Sequence, residues 1–136
     1  MKLANDTITV YNSYTDNIKK YKHYLPTVIR GIHWYGTVKA QPTNSGLVSA
    51  SEYVIRVPED ADFGATYVSP KTYEKLEDKT GYFTFAKGDT IVHGEIVVPD
   101  ARPSELQEKY DDVVTIISVT DNMTSPNASH YKVVCK

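Results

Sequence analysis

The sequence predicts an all-β chain, a small β-barrel or sandwich of about six or seven strands with two long insertions, 58–82 and 99–112, that carry short helical turns. Three observations predict it. Short runs rich in β-branched residues recur along the chain, each bounded by Asn, Asp, Ser, Gly or Pro. Three such runs fill the last third: Gly88-Asp89-Thr90-Ile91-Val92, Val113-Val114-Thr115-Ile116-Ile117-Ser118-Val119 and His130-Tyr131-Lys132-Val133-Val134-Cys135. Finally, 11 Tyr stand against 3 Phe and 1 Trp. Tyrosine joins a large apolar face to a polar tip, which suits half-exposed sheet positions and interfaces alike.

The elements follow in order. Thr7-Ile8-Thr9-Val10-Tyr11 alternates and reads as a first strand. Residues 12–17 gather Asn, Ser, Thr and Asp and read as a turn. Lys19, Lys20, Tyr21, Lys22, His23 and Tyr24 then lead through Pro26 to a second strand at 27–35. Alternation there puts Val28, Ile32 and Trp34 on one face with Arg30 between them, and Ile29, Gly31 and His33 on the other. Residues 38–46 are polar, hold Pro42, Asn44 and Gly46, and read as a loop. A third strand spans 51–57, with Tyr53, Ile55 and Val57 on one side and Glu52 and Arg56 on the other.

Pro58 ends that strand, and the period of two is lost as far as Tyr82. Within this first insertion Ser69-Pro70 opens a short helix, since Ser accepts from the free N–H groups of the first turn and Pro needs none. Extended structure restarts at Gly81, and Lys87-Gly88-Asp89 turns tightly into a strand at 90–98. In the second insertion Pro103-Ser104-Glu105-Leu106 begins a helical turn. The strands at 113–120 and 129–135 are joined by an Asn/Ser/Pro cluster at 121–127. With no repeat or linker, residues 1–136 read as a single domain. Alternation nominates Val28, Ile32, Trp34, Tyr53, Ile55, Ile91, Ile117 and Val119 for the core.

Composition narrows the functions. A net charge of −2 argues against gripping a nucleic-acid backbone, where affinity comes from many cations on phosphates. The single Cys135 excludes an internal disulfide. No apolar run follows a basic start, and no stretch approaches the ~20 apolar residues of a membrane helix, so a soluble protein used inside a cell is expected. His23, His33, His93 and His130 lie too far apart to read as metal ligands, which converge with at least one close spacing. No nucleophile elbow occurs, and Cys135 beside the terminus is poorly placed for a pocket. No catalytic residue, metal or cofactor is therefore assigned, and no enzyme is expected. Glu59, Asp60 and Asp62 form an acidic turn without the alternating oxygen series of a calcium loop.

Taken together, the pieces resemble a family of small virion structural proteins from phages and prophages of Gram-positive bacteria. The residues that carry the resemblance are Asp6-Thr7-Ile8-Thr9-Val10-Tyr11-Asn12, Thr27-Val28-Ile29-Arg30-Gly31-Ile32-His33-Trp34, Tyr67-Val68-Ser69-Pro70-Lys71 with Tyr73, Gly88-Asp89-Thr90-Ile91-Val92-His93-Gly94, and Tyr110-Asp111-Asp112-Val113-Val114-Thr115-Ile116 with Ser118-Val119. More distantly, the layout is similar to the head-tail joining, or head-closure (stopper), proteins of long-tailed phages. There the matching features are Trp34, the 88–92 hairpin, the 116–119 strand and the closing Val134-Cys135. The resemblance implies a β-barrel that assembles as a homo-oligomeric ring in the neck, between portal or adaptor proteins and tail proteins. It also implies loops that help retain packaged double-stranded DNA without reading its sequence, no membrane, and synthesis in the host cytoplasm. The 58–82 and 99–112 insertions are long for that group, and the turn at 15–17 lacks its usual Gly.

On this reading 58–82 is an arm facing the channel or a neighbour, with Glu59, Asp60 and Asp62 repelling DNA phosphates. Tyr67, Pro70 and Tyr73 are its contact candidates, unless the two tyrosines cap one end of the barrel. Two rivals stand beside it: a tail-completion or terminator subunit, and an OB-like barrel holding single-stranded nucleic acid through Tyr21, Tyr24 and the nearby lysines.

Overall fold

The computed structural model describes residues 6–15, 22–43, 46–98, 101–122 and 130–136. In chain order the elements are β1 (Asp6–Thr15), β2 (Lys22–Thr43), β3 (Gly46–Pro58), β4 (Asp62–Phe63), β5 (Thr66–Tyr67), α1 (Pro70–Lys75), β6 (Tyr82–Phe83), β7 (Thr90–His93), α2 (Pro103–Lys109), β8 (Val113–Asn122) and β9 (His130–Cys135). Six strands run β1-β7-β8-β9-β3-β2, and β2 returns to pair with β1, closing an antiparallel ring. Closure removes the sheet edges that an open sheet would leave exposed. The fold is thus the small all-β barrel that the strand pattern predicts, and each insertion contains its short helix.

One long strand makes the closure. β2 pairs its first half with β1 and its second half with β3. At the change of partner the register skips from Thr7↔Arg30 to Asp6↔Ile32, leaving Gly31 as a bulge with φ 82°. Only glycine adopts that angle without strain. The bulge inverts the phase of the strand. Ile29 before it and Ile32 after it both point inward and are fully buried, while Arg30 between them is exposed. Val28 therefore does not belong to the core: it lies half-buried on the opposite face from Ile29. Strict alternation missed this because it carries one phase through the bulge.

The same correction applies on β8. Its register passes from Ile116↔Cys135 to Ser118↔Val134, so Ile117 is the extra residue. Ile116, at 1% exposure, takes the core position, and Ile117 is half-buried. Ile32, Ile55 and Ile91 are fully buried as expected, and Trp34, Tyr53 and Val119 are partly buried against the same core. Two further segments differ from the sequence reading. Residues 38–46 are not a loop, since β2 runs to Thr43 and β3 starts at Gly46. The strand at 90–98 stops at His93, where Gly94 (φ 115°) turns the chain. Of the turn at 12–17, residues 12–15 belong to β1 and the rest lie outside the described residues.

Both insertions fold onto the barrel. Ile8 to Asn12 are all buried because β1 is covered on both faces. Ile8 and Val10 enter the barrel, whereas Tyr11 joins Val92, Ala101 and Leu106 in a second apolar cluster. The segment after Gly94 is laced to that outer face by side chains. Thr9 Oγ1 donates to the Gly94 carbonyl at 2.7 Å and accepts from Ile96 N at 2.9 Å. The Tyr11 hydroxyl donates to the Ile96 carbonyl at 2.5 Å and accepts from Val98 N at 3.0 Å. A strand that looks half-exposed by alternation is thereby buried on both faces from Ile8 to Asn12.

The first insertion closes one end of the barrel. Ala61 and Phe63 pack on the core, and Tyr67 lies against Phe83, Phe85 and Tyr131, with centroids 5.5, 5.7 and 4.5 Å away. Gly64 N donates to the Val28 carbonyl at 2.9 Å, an approach so close that a Cβ on Gly64 would meet that oxygen at 2.6 Å.

Candidate functional site

Two features rise above the packed barrel: a polar cavity under α1 and a strand pair that leaves the body. The cavity starts from Asn12, near the end of β1. Its Nδ2 donates to the Thr84 carbonyl at 2.6 Å and its Oδ1 accepts from Thr84 N at 3.1 Å. The side-chain amide thus replaces a peptide group and continues strand pairing where β7 no longer reaches. The same Nδ2 donates to Asp89 Oδ2 at 2.9 Å, and Ser13 Oγ donates to Asp89 Oδ1 at 2.9 Å. The turn at 86–89, closed by Asp89 N on the Ala86 carbonyl at 3.0 Å, holds the carboxylate there. Asp89 is only 6% exposed; burial raises its pKa, and the Asn12 and Ser13 hydrogen bonds and the Lys22 charge partly offset that.

Helix α1 lies over this knot. The Ser69 hydroxyl caps it by accepting from Thr72 N at 3.3 Å, with Pro70 in its first turn, the arrangement that Ser69-Pro70 predicts. Tyr73 alone in the helix is buried, and its hydroxyl has no hydrogen-bond partner among the described residues. Burial, with Asp89 and Tyr14 nearby, pushes its pKa upward, so the hydroxyl stays protonated. Lys79 Nζ sits over the rings of Tyr14 (5.2 Å) and Tyr73 (5.3 Å) and donates to the Leu76 carbonyl at 2.8 Å. Between these parts lies a cavity of about 770 Å³, lined by Tyr14, Lys22, Glu74, Lys75, Glu77 and Lys79 among others. Three lysines and two glutamates line it, a mixture that favours polar packing over selection of one charge. Asp89 has both oxygens engaged and is shut from solvent, so its chemistry is structural.

The sequence candidates are scattered. Glu59 and Asp60 are exposed on the turn between β3 and β4, and Asp62 Oδ2 lies 3.9 Å from Arg30 Nη1. Arg30 also pairs with Glu95. Tyr67 is half-buried in the aromatic cap, Tyr73 is 3% exposed under α1, and Pro70 is exposed. The two tyrosines thus lie at one end of the barrel and inside the cavity wall, not on a projecting arm. Lys19, Lys20 and Tyr21 lie outside the described residues; Lys22 Nζ stands 6.0 Å from the Tyr24 ring centroid. His93 stacks on Trp34 at 4.4 Å, between Asp6 Oδ1 (3.2 Å) and Asp112 Oδ2 (3.5 Å). Among the described residues no group of three His, Cys, Asp or Glu could hold a metal ion. No described helix is long and apolar enough to cross a membrane.

What projects is the β2–β3 hairpin. β3 pairs with β9 only from Tyr53 to Pro58. Beyond Tyr53, residues 37–43 and 46–52 pair with each other, from Thr37↔Glu52 to Thr43↔Gly46, and no other described strand pairs with them. At ~3.4 Å per residue this ribbon extends ~24 Å. Its signal was present in Asn44-Ser45-Gly46, flanked by Val38 and Ala40 before and Leu47 and Val48 after. Pro42 obscured it.

No curated protein and no solved structure matches the chain significantly. One family model, however, covers residues 3–136, so that the barrel, both folded-back insertions and the projecting ribbon all fall inside it: the chain belongs to the Family of unknown function (DUF6751).

Proposed function

We propose that this chain is a structural subunit of a phage virion, the head-closure component of the neck. In that role it forms a ring between the portal or adaptor and the tail and helps retain packaged DNA. The observation that carries the reading is the pairing of a closed six-stranded barrel with a ribbon that leaves it along 37–52. A ring subunit needs a rigid body without free edges and a segment that reaches its neighbours. A lone two-stranded ribbon is marginal in water, so it calls for a partner surface. The ordered resemblance of 6–12, 27–34, 67–73, 88–94 and 110–119 to virion proteins points the same way. Glu59, Asp60 and Asp62, exposed where the chain leaves β3 and returns to pair with β2, suit a surface past which DNA slides without sticking.

Electron microscopy of particles made without this gene tests the reading. Normal-length tails beside tailless heads that have lost their DNA are expected. Intact infectious virions would refute a structural role, and full heads beside overlong or unfinished tails would move the subunit to tail completion.

A further inference from the structure

We infer that two copies of this chain pair in solution through the outer edge of β3 at 46–52, forming a four-stranded sheet from two ribbons. Backbone phase supplies the argument. Two residues separate Thr43 from Gly46, and such a connection makes its flanking residues a hydrogen-bonded pair. Hydrogen bonding then alternates along the ribbon, so the N–H and C=O groups of Leu47, Ser49 and Ser51 face away from β2. On β2 the outward groups belong to Val38, Ala40 and Pro42. The other end of β2 gives the same phase. Val28 O faces Gly64 N on this side of the strand, and the bulge at Gly31 shifts the pattern by one residue to Tyr35, Thr37 and onward facing β3.

The two edges are unequal. Pro42 has no N–H, so the β2 edge of the ribbon cannot complete a ladder. The β3 edge, Gly46-Leu47-Val48-Ser49-Ala50-Ser51, holds neither proline nor charge, in a chain where 24% of residues are charged. Proline and charge are among the devices that keep natural edges apart, and this stretch carries neither. It also continues the line along which β9 pairs with Tyr53 to Pro58, so an added antiparallel strand prolongs an existing ladder. With the β2 edge blocked, ribbon can join ribbon only like edge to like edge, about a two-fold axis near Ser49. With the axis at Ser49, Glu52, the one charged residue of 46–52, falls opposite Gly46 of the other copy, so no like charges meet. Four strands replace two, which lifts the ribbon out of the marginal range. The inference concerns the free chain and stands apart from the virion reading.

The test is the mass of the full-length protein by sedimentation and light scattering, with far-UV dichroism confirming the barrel in every variant. The wild type is expected to be a concentration-dependent dimer. Ser49→Pro removes two symmetry-related outward donors and is expected to weaken the dimer at least about tenfold. Ala40→Pro removes an outward donor on the blocked edge and is expected to leave it unchanged. Ser49→Cys is expected to form a disulfide-linked dimer under mild oxidation, since Cys135 is fully buried and cannot compete. A wild-type monomer at all concentrations overturns the inference. So does equal loss in Ala40→Pro, or a dimer that survives Ser49→Pro.

Discussion

The Trp34 indole lies flat on the His93 imidazole, with centroids 4.4 Å apart and ring planes within 5°. Trp34 comes from β2 and His93 from the end of β7, so the stack bridges two strands that are not neighbours in the ring. Both nitrogens of His93 face carboxylates, Nε2 toward Asp6 and Nδ1 toward Asp112, which ties the start of β1 to the approach to β8. Trp34→Leu with His93→Ala in a double-mutant cycle is expected to give a coupling of about 1 kcal/mol. Urea unfolding of the four proteins measures it, and additivity within about 0.3 kcal/mol would show that the stack contributes nothing.

Asp89 sets a pH dependence whose sign follows from burial. Its carboxyl has a higher pKa folded than unfolded, so the native state holds the proton more tightly. The contribution is fully present below the ordinary value of 3.8 and is lost as pH rises through the raised folded value. Asp89→Asn removes that titration. The stability of the wild type minus that of Asp89→Asn is therefore expected to fall as pH rises from 3.8. Urea midpoints of both proteins across that range check it; a flat or rising difference would contradict the burial argument.

Tyr73 keeps its ring under α1 but leaves its hydroxyl without a partner. A buried unsatisfied group costs about 1–3 kcal/mol relative to a satisfied one. Tyr73→Phe keeps the packing, including the contact with Lys79, and is expected to stabilise the protein by about 0.5–1 kcal/mol. Thermal unfolding reads the effect, and a clear loss of stability would mean that the hydroxyl is satisfied in solution.

Gly64 fills a place where no side chain fits, 2.6 Å from the Val28 oxygen if a Cβ is added. Gly64→Ala must push β4 away from β2, at a cost of about 1–3 kcal/mol. Hydrogen exchange is expected to quicken at position 64, whose N–H faces the Val28 carbonyl, while the β3–β9 ladder stays protected.

Cys135 is fully buried between β3 and β8, and burial pushes its thiol up to about 12. It is expected to stay unreactive toward a thiol reagent at pH 8 until the barrel unfolds, because the thiolate is the nucleophile. Fast labelling of the native protein would mean that the β3–β9 ladder opens locally.

Local chemistry was enough to read the class of fold. β-Branched runs, turn residues and Ser69-Pro70 act over a few neighbours, so part of each of the six barrel strands, the two insertions and the α1 cap were legible along the chain. Ile32, Ile55 and Ile91 were legible too: Ile32 shares its phase with Trp34, beyond the bulge at Gly31, and no register shift interrupts the pairing around Ile55 or Ile91. Val28 and Ile117 were not, because one unpaired residue at Gly31 or in β8 reverses every side chain beyond it. The ribbon at 37–52 was hidden by Pro42, which a strand tolerates only where its nitrogen faces no partner, and that depends on register. The polar knot lay furthest from view. Asn12, Thr84 and Asp89 are separated by 72 and 77 residues and meet only when the barrel closes. A carboxylate in a turn reads as solvated until the fold places Asn12 and Ser13 against it and a helix above it, for burial is a property of the assembled surface and not of any stretch of chain.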